Sequence, residues 1–306
     1  MTPATSAHRR PLGDTSARAQ RGTIKLANAA ILNIEQYDGA QTVIRIDCPV
    51  VAELAQPGSF VHLQCDDQIA MRRPMSIMRA SARDGWFDML FKVHGFGTSR
   101  LARRKVGETI SILGPIGRPF RLGSYRRRPL LIGGGVGIPP MIFLAERMRR
   151  SSPDSEPLVL MGSEVPFPFR SRPSQIMLPG LPAGVIAAMP LLDDWGIASR
   201  LASLQGYPGC FDGHVTELAR QVIERAGKID EFEIFACGPT PMLRAVQALT
   251  AEFEIPAELS LEEYMACAVG GCAGCTVLIE TPQGPAMKRV CVDGPVFDAA
   301  TIVFQN

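Results

Sequence analysis

The chain of 306 residues is 46 % hydrophobic and 20 % charged, which is typical of a globular protein with room for two or three domains. Its formal net charge of +2 gives no indication of a polyanion-binding surface, so we expect no nucleic acid partner. No apolar run reaches the ~18 residues of a membrane helix, and the Arg-containing first 22 residues lack the apolar core of a secretory signal. We therefore predict a cytoplasmic protein without membrane association, in which residues 1–22 are a disordered tail.

Residues 23–122 are predicted to form a small antiparallel β-barrel. Six short β-rich runs with partial alternation of apolar and polar residues are separated by Gly, Pro and Asp. In chain order the runs are TIKLANAAIL, TVIRIDC, SFVHLQC, SIMRAS, WFDMLFKV and TISILG. Six such strands in roughly 100 residues are typical of a barrel.

The segment that leads into the fourth run carries candidate flavin-binding residues. It reads RRPMSIM and contains Arg73, Pro74, Met75 and Ser76. A guanidinium group can bind a diphosphate, and a hydroxyl three residues later can donate to a flavin ring. Further candidates for a second wall and for backbone N–H groups are Leu90, Phe91, Lys92, Gly97 and Thr98. The alternative is that Arg73 and Ser76 simply lie on the solvated face of a strand.

From residue 123 to 256 strands and helices alternate, which predicts a parallel sheet with crossover helices. The predicted strands are PLLIGGG, PLVLMG, GVIAAM and EFEIFACG. The predicted helices are MIFLAERMRR, VTELARQVIERA and TPMLRAVQALTAEF. The proline-dense stretch 166–182 is predicted to be a long loop.

A glycine-rich turn, GGGVGIPP, follows the first of these strands and opens a helix. Such a turn lets the backbone approach a pyrophosphate, which then faces the free N–H groups of the helix N-terminus. The candidate residues are Gly134, Gly135, Gly137 and Pro139. The third glycine of the dehydrogenase fingerprint is absent, and a plain tight turn is the alternative.

A second turn, Cys237-Gly238-Pro239, also lies between a strand and a helix, with Thr240 placed to cap that helix. Ligands of a doubly wound sheet bind at the carboxyl ends of its strands, so both turns can face one crevice. Cys237 has two interpretations, a buried structural thiol or a residue beside a nicotinamide.

The last segment, residues 257–306, contains four closely spaced cysteines, Cys267, Cys272, Cys275 and Cys291. A disulfide framework is not expected without an export signal. Structural zinc sites favour two separate C-x2–4-C pairs, whereas the spacing C-x4-C-x2-C with a distant fourth cysteine is that of plant-type [2Fe–2S] ferredoxins. The spacing favours a [2Fe–2S] cluster and leaves zinc as the alternative.

The order of these motifs resembles the ferredoxin-NADP reductase superfamily and, within it, the electron-transfer subunits of class 1B dihydroorotate dehydrogenase. The matching segments are RRPMSI, GFGTSRLA, LGPIGRPF, GGGVGIPPM, FACGPTPML, SLEEYMACAVGGCAGCTV and KRVCVDGPVF. The resemblance implies a multidomain fold: an FAD-binding β-barrel at 23–122, an NAD(P)-binding α/β domain at 123–256 and a [2Fe–2S] domain at 257–306.

The resemblance also implies a function in pyrimidine biosynthesis. Electrons would pass between an FMN-containing catalytic subunit, which oxidises dihydroorotate, and NAD+ through the cluster and FAD. The expected assembly is a heterotetramer with two copies of each subunit. Because the substrate would be oxidised on the partner, no residue of this chain is assigned a catalytic role.

Three alternatives remain open from the residues. The first is a flavin and iron–sulfur reductase component of an oxygenase or ferredoxin-type system. The second is a reductase-like subunit of another FMN or hydrogenase partner, which two departures from the family pattern, Tyr264 and Ala268, leave possible. The third is a non-catalytic zinc-stabilised interaction module.

The sequence does not decide between NADH and NADPH. Glu164 could accept a hydrogen bond from a ribose hydroxyl of NADH, whereas Arg170 and Arg172 could bind the 2′-phosphate of NADPH.

Overall fold

The computed structural model describes residues 20–304 and has three packed parts that follow one another along the chain. Most of the predicted tail lies outside the described residues, and the tail stays a prediction. No helix in the range 20–304 has the length and apolar character needed to cross a membrane.

The first part is a closed antiparallel barrel of six strands, as predicted. Strands β1 to β6 span Lys25–Tyr37, Gln41–Asp47, Phe60–Leu63, Arg73–Ser81, Trp86–Lys92 and Thr109–Ile116. Their order is β1-β2-β5-β4-β3-β6, and β6 pairs with β1 to close the barrel. Two short helices interrupt the strands, α1 at Pro49–Leu54 and α2 at Gly95–Leu101.

Alternation along each strand fills the barrel with apolar side chains. Because successive side chains point to opposite faces, every second residue enters the interior and the others face outward. The buried interior includes Ile44, Ile46, Val61, Leu63, Ile77, Phe87, Met89, Phe91 and Ile112. The outer faces of the same strands are left to contact the other two parts of the chain.

The second part is an α/β domain built on a parallel sheet. Strands β7 to β13 span Arg128–Gly134, Leu158–Gly162, Arg172–Pro173, Ala187–Ala188, Ala198–Ala202, Phe232–Cys237 and Ala257–Ser260. Helices α3 to α6 span Ile138–Ser151, Pro190–Asp194, Val215–Ala226 and Thr240–Glu252. The parallel strands lie in the order β11-β8-β7-β12-β13, whereas β9 and β10 form a separate two-stranded ribbon.

The prediction of the third parallel strand was wrong. GVIAAM contributes only the two-residue strand β10, and the sheet instead uses β11, whose sequence is ASRLA. Arg200 lies in the middle of this strand, and its side chain is buried. Its guanidinium donates to three carbonyl oxygens, those of Val185, Ser199 and Ile176, at 3.1, 2.7 and 2.8 Å. An arginine whose three guanidinium nitrogens each donate to a carbonyl oxygen can therefore occupy a strand of the core.

The third part covers the end of the chain and is anchored to the sheet. Strands β14 at Thr276–Thr281, β15 at Gly284–Arg289 and β17 at Ile302–Val303 form a small antiparallel sheet. Strand β16 at Val296–Asp298 instead pairs with β13 and extends the α/β sheet by one antiparallel strand. The cysteine segment therefore begins directly at the end of a sheet strand.

Arg79 of β4 fixes the barrel against the α/β domain. Its guanidinium lies 3.4 Å from the carboxylate of Glu146 on α3. The same guanidinium lies 5.5 Å from the ring centre of Trp86 in the barrel and 5.1 Å from that of Trp195 in the α/β domain. Phe143 of α3 packs among the barrel residues, so both charge and apolar burial hold these two parts together.

Candidate flavin, nicotinamide and cluster sites

Strand β4 orients the predicted flavin residues. Met75 points into the barrel interior and can offer a ligand only its backbone. Pro74 and Ser76, the alternate residues, face outward and are half-buried. A β-carbon placed on Gly97 would lie 3.4 Å from Nε and Nη2 of Arg73, so the guanidinium lies beside the start of α2. The structure thus brings Arg73 and Gly97 together, as a shared diphosphate site requires.

The Arg73 guanidinium retains capacity to bind an anion. Its Nη1 donates to the carbonyl oxygens of Met71 and Arg72 at 2.9 and 3.1 Å. Among residues 20–304 no carboxylate forms an ion pair with it. The charge is therefore not neutralised by the protein, which fits the diphosphate of FAD.

The remaining barrel candidates differ in what they can offer. Phe91 is buried in the interior, Leu90 is buried on the outward face, and Lys92 is exposed. The Thr98 hydroxyl accepts from the His94 N–H at 2.7 Å and donates to the His94 carbonyl at 2.8 Å. The Thr98 hydroxyl proton is therefore already donated to the His94 carbonyl. The N–H groups at the start of α2, which have no partner within the helix, are the better donors to a phosphate.

The two glycine turns are packed against each other at the carboxyl ends of β7 and β12. A β-carbon on Gly137 would overlap the carbonyl group of Cys237, and one on Gly134 would lie 2.5 Å from Sδ of Met242. Gly238 is confined in the same way by Met242. These glycines are required by loop packing, whatever ligand binds beside them.

Gly135 is different from its neighbours, because a β-carbon there would meet no atom within 4 Å. Its φ of +54° is in the left-handed region. Pro139 lies in the first turn of α3, where its missing N–H leaves no broken bond. Helix α6 begins at Thr240 with Pro239 before it and has no side-chain cap, so the expected capping by Thr240 is wrong.

A carboxylate that the motifs did not single out lies beside Cys237. Oε1 of Glu262 is 3.9 Å from Sγ of Cys237. Burial, followed by the Glu262 charge, raises the pKa of the Cys237 thiol well above its ordinary value. The Glu262 side chain reaches solvent from a recess, and burial by the surrounding protein raises its pKa as well. Its only signal in the sequence is its position just after β13, the strand next to β12.

The four cysteines of the last segment form two pairs. The N–H of Cys272 lies 3.4 Å from Sγ of Cys267. Although burial opposes ionisation, hydrogen bonds from the N–H groups of Cys272 and Val269 lower the pKa of Cys267 to about 7. In the other pair, burial and the thiol of Cys275 raise the pKa of Cys291 to about 12.

Two pairs of thiols are the donor set of a binuclear cluster. Within the described range no three His, Cys, Asp or Glu side chains converge on one metal position. A [2Fe–2S] cluster requires no such triad, because each iron takes two protein ligands and two sulfides. The cysteine pairs therefore fit a [2Fe–2S] cluster better than a single tetrahedral zinc ion.

The backbone of the cysteine loop adopts the conformation expected of glycine even where glycine is missing. Ala268 has φ +55° and Gly270 has φ +78°. Ala268 is buried, so its methyl group packs while its backbone keeps the left-handed shape. Tyr264 is 94 % exposed and lies on the surface before the first cysteine. The Arg289 guanidinium donates to the Gly270 carbonyl at 3.0 Å and ties the loop to β15.

Two sizeable cavities lie away from the glycine turns. One of about 970 Å³ is lined by the segment that joins barrel to sheet and by the last part of the chain, including Arg118, Glu233, Glu258 and Lys288. The other, of about 840 Å³, lies between the barrel hairpin at Tyr37 and the long loop. Size alone does not identify the site here, because the chemical groups lie elsewhere.

Of the two arginines predicted to bind a 2′-phosphate, Arg172 is ion-paired and Arg170 lines a cavity. Arg172 donates to the carboxylate of Asp194 and to the carbonyl of Pro190, so its charge is neutralised. Arg170 lines the second cavity beside Phe167 and Phe169. Glu164 is exposed just after β8. The choice between NADH and NADPH stays a prediction that rests on Glu164 and Arg170.

The chain is similar to curated proteins over almost its whole length. Residues 262–303 match the family described as the iron–sulfur cluster binding domain of dihydroorotate dehydrogenase B, which confirms the predicted iron–sulfur segment. A dihydroorotate dehydrogenase B (NAD(+)) electron transfer subunit from Shouchella clausii is 32 % identical over 94 % of this chain and 99 % of its own length. One with the same name from Geobacillus sp. is 33 % identical over 83 % of this chain and 89 % of its own length.

Solved structures show the same fold. The NADH-dependent reduced ferredoxin-NADP oxidoreductase aligns with a TM-score of 0.72 and 24 % identity over 90 % of both chains. The ferredoxin reductase of carbazole 1,9a-dioxygenase aligns with a TM-score of 0.59 and 20 % identity over 76 % of this chain and 67 % of its own. These similarities confirm the predicted combination of antiparallel barrel and parallel-sheet domain.

Proposed function

The chain belongs to the family of dihydroorotate dehydrogenase B electron transfer subunits, and we propose that it carries electrons between NAD and a partner that oxidises dihydroorotate. The observation that carries the proposal is the pairing of Cys267 with Cys272 and of Cys275 with Cys291 against a barrel that presents Arg73. When bound, nicotinamide supplies hydride chemistry, FAD exchanges electrons in pairs or singly, and a [2Fe–2S] cluster exchanges one electron.

The barrel residues would bind FAD at two points. Arg73 offers an unneutralised guanidinium beside Gly97 of α2, whose first N–H groups have no partner within the helix. Pro74 and Ser76 face outward on β4, where the Ser76 hydroxyl is free to donate to a flavin ring. The diphosphate and the ring would thus be held by separate groups of one surface.

The nicotinamide would lie at the carboxyl ends of β7 and β12. Gly135 leaves open space for a pyrophosphate beside the start of α3. Cys237 stays a neutral thiol there, because its pKa is raised by burial and by Glu262. Glu262 can accept a hydrogen bond from that thiol and orient it toward the reacting rings.

The partner would be an FMN-containing catalytic subunit, with two copies of each chain in the assembly. This follows from the family, because each of the three parts of this chain would bind one redox group and none is left to bind dihydroorotate. The surface around the cluster loop is suited to docking because both Cys272 and Tyr264 are exposed. Tyr264 takes the place of an arginine of the family pattern, so an aromatic contact would replace a charged one.

The proposal is tested on the purified chain and on its complex with the partner. We expect flavin absorbance, about two iron and two labile sulfide per chain, and bleaching by NADH under anaerobic conditions. With the partner added, dihydroorotate should reduce NAD+. Stoichiometric zinc in protein made with ample iron, or turnover of a different donor with no response to dihydroorotate, would contradict the proposal.

A further inference from the structure

One histidine is buried between the barrel and the cysteine loop. His62 on β3 is only 1 % exposed. Its neighbours Val61 and Leu63 point into the barrel, so His62 points outward, on the same face as Phe60. Phe60 belongs to the large apolar cluster that also contains Ala268, Cys275 and Cys291, so this face of β3 is covered by other parts of the chain.

His62 is next to both proposed redox sites. It pairs directly with Pro74 of β4, and directly paired residues of antiparallel strands have their side chains on one face. Pro74 is in the proposed flavin site. The ring also lies close to the backbone of Met265 and to that of Arg72, and both favour its protonated form. Met265 precedes the first cluster ligand, Cys267, by two positions.

Both ring nitrogens of His62 lack hydrogen-bond partners. Neither Nδ1 nor Nε2 has a partner among the described residues. Burial, followed by the charge of Arg72, lowers the pKa of the ring, so it is neutral and carries one N–H. The charged groups that face it are Arg72 and Arg73. A buried polar group without a partner destabilises a fold by about 1–3 kcal/mol. This cost indicates that the imidazole has a role other than packing.

We propose that His62 is a positioning residue that holds the cysteine loop against the flavin barrel by donating its ring N–H to the Met265 carbonyl. The proposal rests on the proposed function, because it assumes flavin and cluster on either side. His62 would exchange neither an electron nor a proton with flavin or cluster, and would only position the loop that carries the cluster ligands.

The first test separates the hydrogen bond from simple packing. His62→Phe keeps a ring without nitrogen, His62→Gln keeps a donor, and Phe60→Leu is the control on the same strand face. After anaerobic mixing with NADH, cluster bleaching is timed relative to flavin bleaching in the same trace. We expect the rate of cluster bleaching, relative to that of flavin bleaching, to fall about tenfold in His62→Phe. The relative rate should return toward the wild-type value in His62→Gln and should be unchanged in Phe60→Leu. An unchanged ratio in His62→Phe, at equal iron and FAD content, overturns the proposal.

The second test needs no variant and so does not depend on how His62→Phe folds. The chain has four histidines, which makes ring-nitrogen spectra of 15N-histidine protein assignable. In the oxidised protein we expect His62 as one neutral tautomer with a slowly exchanging N–H, unlike exposed His214. A His62 ring proton that exchanges as fast as that of exposed His214 refutes the bond to Met265. Absence of iron from wild-type protein would instead refute the proposed function.

Discussion

Sγ of Cys237 and Oε1 of Glu262 lie 3.9 Å apart at the carboxyl ends of two adjacent parallel strands. The two residues are far apart in sequence, and only the pairing of β12 with β13 brings them together. Burial raises the pKa of both groups, and the Glu262 charge raises that of the Cys237 thiol further, whereas the hydrogen bond from Cys237 favours the ionised carboxylate of Glu262. Perturbed titratable pairs of this kind mark functional sites more often than random surface groups.

We expect Glu262→Gln to slow reduction of the flavin by NADH by about a hundredfold, the range typical of loss of a positioned proton-holding group. Stopped-flow absorbance measures the rate, and FAD content checks that the site is intact. The matched control is Glu263→Gln, since Glu263 is exposed and one residue away. Equal slowing in both variants would mean that charge near the loop, and not the contact with Cys237, is responsible.

The glycine turn gives a prediction in which two neighbouring glycines behave differently. Gly137→Ala should lower the melting temperature, because its β-carbon overlaps the Cys237 carbonyl. Gly135→Ala should leave the fold intact apart from about 1–2 kcal/mol of backbone strain, but raise KM for NADH, because its methyl group enters open space beside α3. Melting curves and initial rates test both. A Gly135→Ala enzyme with unchanged KM would place the pyrophosphate elsewhere.

Flavin retention should depend more on Arg73 than on Ser76. A charge-assisted bond to a diphosphate contributes roughly 1.5–3 kcal/mol, against about 1 kcal/mol for a neutral hydroxyl. Arg73→Ala should therefore lose FAD during gel filtration at low protein concentration, whereas Ser76→Ala should keep most of it. Full FAD occupancy in Arg73→Ala would remove Arg73 from the site.

Alternation predicted most of the barrel and cysteine spacing predicted the iron–sulfur segment, but neither pattern predicted contacts between distant parts of the chain. The barrel runs were recognisable because apolar residues recur at every second position. Strand β11 was missed because the buried Arg200 satisfies its charge with carbonyl groups that no local pattern reveals. Glu262 and His62 could not be found from motifs, because their significance depends on which strand or loop packs beside them.

Removing the cluster should expose a difference among its cysteines. In cluster-free protein Cys267, with a pKa of about 7, should be half ionised at neutral pH, whereas Cys291, with a pKa of about 12, should stay a thiol. Because the thiolate is the nucleophile, iodoacetamide should label Cys267 first, with a rate that rises between pH 6 and 8. Peptide mass spectrometry over time measures the order. Labelling of Cys291 before Cys267 would contradict the assignment of the two pairs.

The last prediction separates the two halves of the electron path. Cys272 is exposed and contributes to neither apolar core, so Cys272→Ser should disturb the cluster while barrel and α/β domain stay folded. NADH should still reduce the flavin and a small dye that takes electrons from it, because hydride enters upstream of the cysteine loop. Reduction of NAD+ by dihydroorotate through the partner should be lost, because single electrons would have no group to carry them between the two flavins. Cys210→Ser, a half-buried cysteine far from the loop, is the control and should retain both activities. Wild-type dihydroorotate-dependent turnover in Cys272→Ser, with FAD and partner binding verified, would show that electrons bypass the cysteine loop.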